Sequence, residues 1–233
     1  MIVREASGSL RLIAQPDHAH LAGGIMQRAA PLAGHSRRPA ILHAIAEHDN
    51  GWTEEDRAPL LDLDSGRVHD FISAPAAVRQ RVWPRGVARL AGDPWAAALV
   101  AEHADTIYER YRADPAWRAF FEDIHHRREA HRQRSGLSTD ELAVDYAFVR
   151  LGDLISLVFC TGWTDEQRFD RWTIRLFGTQ VVVSPDVFGG ATVPVEIAAK
   201  EIRTASFGSD AELASAWSQA TTVLLRGEIR GRP

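Results

Sequence analysis

This 233-residue chain has little cysteine, lysine or methionine: Cys160 and Lys200 stand alone and there are two methionines. A lone cysteine excludes an internal disulfide and a cysteine-rich zinc site. The most apolar stretch, around Leu154 to Cys160, is far too short to cross a membrane. The start Met1-Ile-Val-Arg-Glu carries no signal-peptide apolar core, so the reading is a cytoplasmic protein without a membrane partner. Positive charge is not in excess: 27 Lys+Arg against 31 Asp+Glu give −4 at pH 7, which speaks against nucleic acid as a partner. Hydrophobic residues at 45% and charged residues at 25% are ordinary for a globular chain, so disorder and coiled coil fail as whole-chain accounts.

Histidine and arginine are what the chain has. All 10 histidines lie between His18 and His131, and every basic residue except Lys200 is an arginine. Ile2-Val-Arg and Leu10-Arg-Leu-Ile flank Ala6-Ser-Gly-Ser and predict a β-hairpin. Asp17 can cap a helix over 18–30, and Pro39 can open one through Asp49. Residues 50–92 read as irregular. Asp93-Pro94 and Asp114-Pro115 predict helices over 94–111 and 115–134. Ser138-Thr-Asp-Glu141 fits a capping box for a helix to Cys160. Strands are expected at 173–177, 180–184, 192–197 and 222–226, with a short helix over 209–220. The expectation is one domain, 1–233, mainly α: a helical core over 16–160, with peripheral additions at 1–14 and 165–233 forming a small antiparallel β element.

Helical spacing shows which polar residues face inward. His18 shares a face with Leu21, Ala22 and Ile25, whereas His20 faces Gly24 and Gln27. His48 and Asp49 lie where the apolar face of Ile41, Ala44 and Ile45 ends. His103 lies between Leu99, Val100 and Ile107. Asp153 is surrounded by Val149, Ile155, Leu157 and Val158, and a buried carboxylate needs a cation or a proton. One inward histidine is usually a hydrogen-bonded core residue, and the two His-Asp dipeptides, His48-Asp49 and His69-Asp70, are near what chance gives. The coincidence of three inward histidines and two carboxylates on four helices is different, because four helices can converge on one point. Mixed imidazole and carboxylate donors suit Mn, Fe, Co, Ni or Zn. Ser156 and Cys160 read as packing residues. Trp52 is either a pocket wall or a core aromatic. Arg79, Arg81, Arg85 and Arg89 interleave with Trp83, either as a solvated basic stretch or as a lip for a small anionic substrate, with Arg79 and Arg85 the candidate contacts.

The order His18, His48-Asp49, Asp153 resembles the His…His-Asp…Asp set of the HD-domain superfamily. The segments Gln15-Pro-Asp-His-Ala-His-Leu-Ala-Gly23, Ala44-Ile-Ala-Glu-His-Asp-Asn-Gly-Trp52 and Gly152-Asp-Leu-Ile-Ser-Leu-Val-Phe-Cys160 resemble a bacterial family, domain of unknown function 3891, over about the first 160 residues. The resemblance implies an HD-like helical bundle. His18, His48, Asp49 and Asp153 would be ligands of one or two divalent transition-metal ions, and His103 an added ligand or a substrate contact. A second ion would call on His69 or His125. The activity implied is phosphohydrolysis, with Asp49 and His103 as catalytic groups. A non-haem di-iron oxygenase and a non-catalytic ligand-binding domain are the alternatives. The sequence leaves open whether the C-terminal β region covers the site or forms a homodimer contact.

Overall fold

The computed structural model describes residues 1–204 and 206–232. The chain opens with the antiparallel hairpin β1 (Ile2–Ala6) and β2 (Ser9–Ile13). Helices α1 (Gln15–Met26) and α2 (Arg38–Glu47) follow, each with a proline in its first turn, where its missing N–H costs nothing. Asp17 lies inside that first turn rather than at the cap, so its charge complements the helix dipole instead of closing the helix.

Residues 50–92 are more ordered than expected. They hold two single-turn 3-10 segments, a two-stranded ribbon of β3 (Leu61–Asp62) and β4 (Arg67–Val68), and the 14-residue helix α3 (Ala76–Arg89). Pro84 lies inside α3, and a proline reads as a breaker in sequence. Helices α4 (Pro94–Ile107) and α5 (Arg118–Ser135) come next, and Asp93 caps α4 by accepting from the Ala96 N–H. The capping box of Ser138 and Glu141 opens α6 (Thr139–Thr161), as its sequence predicts.

The expectation of a mainly α, HD-like bundle with a small antiparallel β element is overturned by the C-terminal third. Strands β5 (Gln167–Phe169), β6 (Trp172–Phe177), β7 (Gln180–Ser184), β8 (Thr192–Ile202) and β9 (Thr221–Gly231) join the N-terminal hairpin in one seven-stranded sheet, with α7 (Asp210–Ser218) between the last two. Its order is β1-β2-β8-β9-β7-β6-β5, and it is mixed, because β7 runs parallel to β9. The N- and C-terminal strands do pair, through Leu10 opposite Ile202. Their extent was hidden by weak strand formers. Ala198-Ala-Lys-Glu continues β8, and Arg226-Gly-Glu-Ile-Arg continues β9, two stretches poor in β-branched residues. Alternation survives in β8, where Val193, Val195, Ile197 and Ala199 are buried while their neighbours are exposed.

Helix α6 ties the layers together. It meets α1, α2 and α4, and also β1, β5, β6 and β7. Residues 151–160 are buried without a break, as in a helix enclosed on all sides. One hydrophobic cluster accordingly joins Ile25, Ile45, Leu99 and Ile155 of the helices to Ile174, Val181 and Ile229 of the sheet. Gly152 lets α6 approach closely: a Cβ there would stand 2.7 Å from Met26 Cγ and 3.1 Å from Ile45 Cγ2. That contact sets the depth of its neighbour, Asp153.

Candidate metal centre

The five inward polar residues converge. His18 comes from the first turn of α1, His48 from the residue that ends α2, Asp49 from the turn after it, His103 from α4 and Asp153 from α6. All five are nearly fully buried. The turn after α2 is held against α3, because a Cβ on Gly51 would stand 2.0 Å from the Val82 carbonyl oxygen. Only glycine allows that approach, and it anchors the turn that carries Asp49 and Trp52.

The hydrogen bonds assign the imidazoles. His48 Nδ1–H donates to the Ile45 carbonyl at 2.7 Å. The Ser156 hydroxyl donates to the His18 carbonyl at 2.8 Å, so its oxygen accepts from His18 Nδ1–H at 3.0 Å. Both rings therefore turn a bare Nε2 inward, and the two nitrogens lie 3.1 Å apart. Two facing lone pairs repel unless a proton on one of them or a metal ion lies between them. Both ring orientations are fixed from behind in the way that metal-binding histidines usually are.

The oxygens complete the set. His18 Nε2 is 3.1 Å from Asp49 Oδ2 and 3.6 Å from Asp153 Oδ1, and His48 Nε2 is 3.5 Å and 3.4 Å from the same atoms. Two ligands each about 2.1 Å from one ion lie about 3.0 Å apart at a right angle and about 3.4 Å apart at the tetrahedral angle. Every one of these separations has the length of an edge around a single ion. Among the described residues, His18, His48 and Asp49 form one group able to hold a metal, and His48, His103 and Asp153 form a second that shares His48.

His103 is set further out. Its Nε2 is 3.7 Å from the other oxygen of Asp153, and its Nδ1 is 3.2 Å from Tyr146 Oη. Arg150, half-buried on α6, hydrogen-bonds the same Asp153 Oδ2. Electrostatics divide the three groups. Burial disfavours a charged His48, but the Asp49 and Asp153 carboxylates outweigh it and push its pKa up to about 9. Burial pushes His103 down to about 3, with His48 and Arg150 adding to it. Burial also opposes ionisation of Asp153, yet His48, His103 and Arg150 hold its carboxyl far below the usual carboxylate range. Without a metal, that raised pKa keeps a proton on His48 near neutral pH.

A cavity of ≈330 Å³ reaches this cluster, with Asp49, His103 and Asp153 in its wall beside Trp52, Trp83 and Trp163. Gln15 Oε1 and Trp52 Nε1, on two residues of that wall, are buried without a hydrogen-bond partner. Arg79 lines the cavity as well. Arg85 does not: it hydrogen-bonds the Gly51 carbonyl and pairs with Glu54 and Glu55. His69 is bonded to Ser73, and His125 to Arg128 on α5, so neither joins the cluster. Sequence reasoning passed over Arg150, Tyr146 and the positioning by Ser156. Arg150 and Tyr146 precede Asp153 by one and two helical turns, which was a usable sign.

A family model described as "Protein of unknown function (DUF3891)" matches residues 1–204, and the chain belongs to that family. The match runs past the helices through β8, further than the segments that carried the resemblance in sequence. No curated protein and no solved structure matches the chain. The HD-domain superfamily thus finds no support in these comparisons, and the seven-stranded sheet departs from the bundle it implied.

Proposed function

We propose that the protein is a metal-dependent hydrolase acting on a small phosphorylated substrate, with one divalent transition-metal ion held by His18, His48, Asp49 and Asp153. The observation that carries this reading is the five separations of 3.1–3.6 Å that link Nε2 of His18 and of His48 to each other and to one oxygen each of Asp49 and Asp153, with the outer nitrogens of both imidazoles already committed. Mn, Fe, Co, Ni and Zn all accept such a mixed donor set. The ion would polarise a phosphoryl oxygen and lower the pKa of a water. Asp49, at the cavity wall, has its second oxygen left to orient that water. His103, neutral and next to the cluster, is the proton acceptor or phosphate contact. Arg150 supplies positive charge on the cavity side of Asp153.

A two-ion oxygenase site would need ligands beyond the two groups that share His48, and His69 and His125 lie elsewhere, which supports the single-ion reading over the oxygenase. The test is to load the purified protein with each of these metals and assay small phosphate monoesters. The expected result is turnover with at least one metal, lost in Asp49→Ala. Metal binding without turnover of any monoester would sink the hydrolase reading and leave a binding protein.

A further inference from the structure

The cavity has a second cationic end. Arg79 of α3 lines it together with Tyr108 and Arg110. Its guanidinium carbon lies 5.0 Å from the ring centre of Tyr111, 5.3 Å from that of Trp117 and 5.9 Å from that of Tyr108. Its Nη1 donates to Tyr111 Oη at 2.9 Å. Three rings and a phenol fix the guanidinium in place without neutralising it.

The other arginines of α3 behave differently. Arg81 pairs with Glu55, Arg85 with Glu54 and Glu55, and Arg89 with Glu54. Among the described residues Arg79 has no carboxylate partner, and its buried Nε has no acceptor. A buried donor left unsatisfied costs stability, and it is tolerated where a ligand supplies the acceptor. The wall between the two ends is continuous: the Trp83 ring centre is 5.6 Å from that of His103 and 6.1 Å from that of Tyr108.

We infer that the substrate is a bis-anion: a phosphate monoester whose second anionic group, a carboxylate or another phosphate, is held by Arg79 while its phosphoryl group meets the metal end and Arg150. This rests on the hydrolase reading above and adds a specificity-determining residue to it. The aromatic wall carries the spacer between the two charges. A guanidinium offers paired donors to either anion, so the chemistry of the second group is oxyanionic rather than specific to phosphorus.

The test uses three non-hydrolysable probes with a P–C bond and the same two-carbon unit: ethylphosphonate, 3-phosphonopropionate and ethane-1,2-bisphosphonate. Each is titrated calorimetrically into the metal-loaded full chain, in the wild type, Arg79→Gln, Arg79→Lys and Arg81→Gln. The expected result is that one or both bis-anions bind about tenfold or more tightly than ethylphosphonate, the scale of a charge-assisted hydrogen-bond pair. That ratio collapses in Arg79→Gln, is partly kept in Arg79→Lys and is unchanged in Arg81→Gln. The stronger of the two bis-anions identifies the second group. Equal binding of all three by the wild type, or a ratio that persists in Arg79→Gln, would overturn the inference and leave the metal site standing. Failure of all three to bind a chain that does hold metal would overturn both readings. Metal affinity, measured on each variant, reports that it is folded.

Discussion

Two aspartates of α6 are buried, and they are buried for different ends. Asp145 accepts from Arg37 Nε and Nη2 at 2.6 and 3.1 Å and from Trp95 Nε1 at 2.8 Å, with His35 Nε2 at 3.4 Å. Asp153, two turns later, faces three imidazoles and Arg150 beside a cavity. Asp145 is saturated: two planar donors meet a carboxylate and nothing is left over. At Asp153 the nitrogens of His18 and His48 face each other, and a proton on His48 or a metal ion between them is needed to fill the gap. Donor atoms facing one another, more than burial of charge alone, separate a site from a brace.

Substitutions can break that contrast, and the largest effect belongs to the open cluster. His48 lies in both groups able to hold a metal, so His48→Ala is expected to abolish metal binding while far-ultraviolet circular dichroism stays that of the wild type. Asp145→Ala should do the opposite. It leaves Trp95 Nε1 and two of the Arg37 donors without that acceptor, while Arg37 keeps Glu141, and losing hydrogen bonds to a charged group costs about 1.5–3 kcal/mol. Urea unfolding should show that loss, with the folded fraction still binding metal at wild-type stoichiometry.

A smaller effect is expected behind the ligands. Ser156→Ala removes the acceptor that orients His18 and should weaken metal binding about 10–100-fold, the range seen when such partners are lost. Calorimetric titration separates this from simple loosening of the core, because Ser156→Cys, of similar volume and with a weaker hydrogen-bonding group, should fall between alanine and the wild type.

The last prediction concerns pH. His48 is raised from its ordinary value of 6.5 to about 9 in the metal-free fold. Its proton then occupies Nε2, the atom the metal needs. Apparent metal affinity should therefore climb as pH rises toward about 9, by about tenfold per unit for one released proton, and level off above it. Stability of the metal-free protein runs the other way. The contribution of protonated His48 is complete below about 6.5 and is lost as pH rises through about 9. A metal affinity flat between pH 6 and 9 would contradict the assignment of that proton.

Much of the cluster was legible in the sequence, because His18, His103 and Asp153 share helical faces with apolar residues and the period of a helix fixes which way they point. The Asp145 brace was equally open to this reasoning, since Asp145, Val149 and Asp153 fall four residues apart on α6. Its partner Arg37 was not, lying 108 residues away in sequence. Pro84 hid α3, a helix whose tight approach to Gly51 only tertiary packing explains. The sheet was underestimated because Ala, Lys and Glu extend β8 through pairing with its neighbours rather than through their own preference. Arg79 and Arg85 are indistinguishable in sequence, six residues apart in one basic stretch. Only the fold brings Glu54 and Glu55 to one and aromatic rings to the other.

The most direct test of the account is metal content. The wild-type chain, loaded with Mn, Fe, Co, Ni or Zn in turn, freed of excess ion and analysed by inductively coupled plasma mass spectrometry, should retain about one equivalent per chain of at least one of these metals, and His48→Ala should retain none. Retention of no metal by the wild type, or equal retention by folded His48→Ala, would contradict a metal centre built on His18, His48, Asp49 and Asp153.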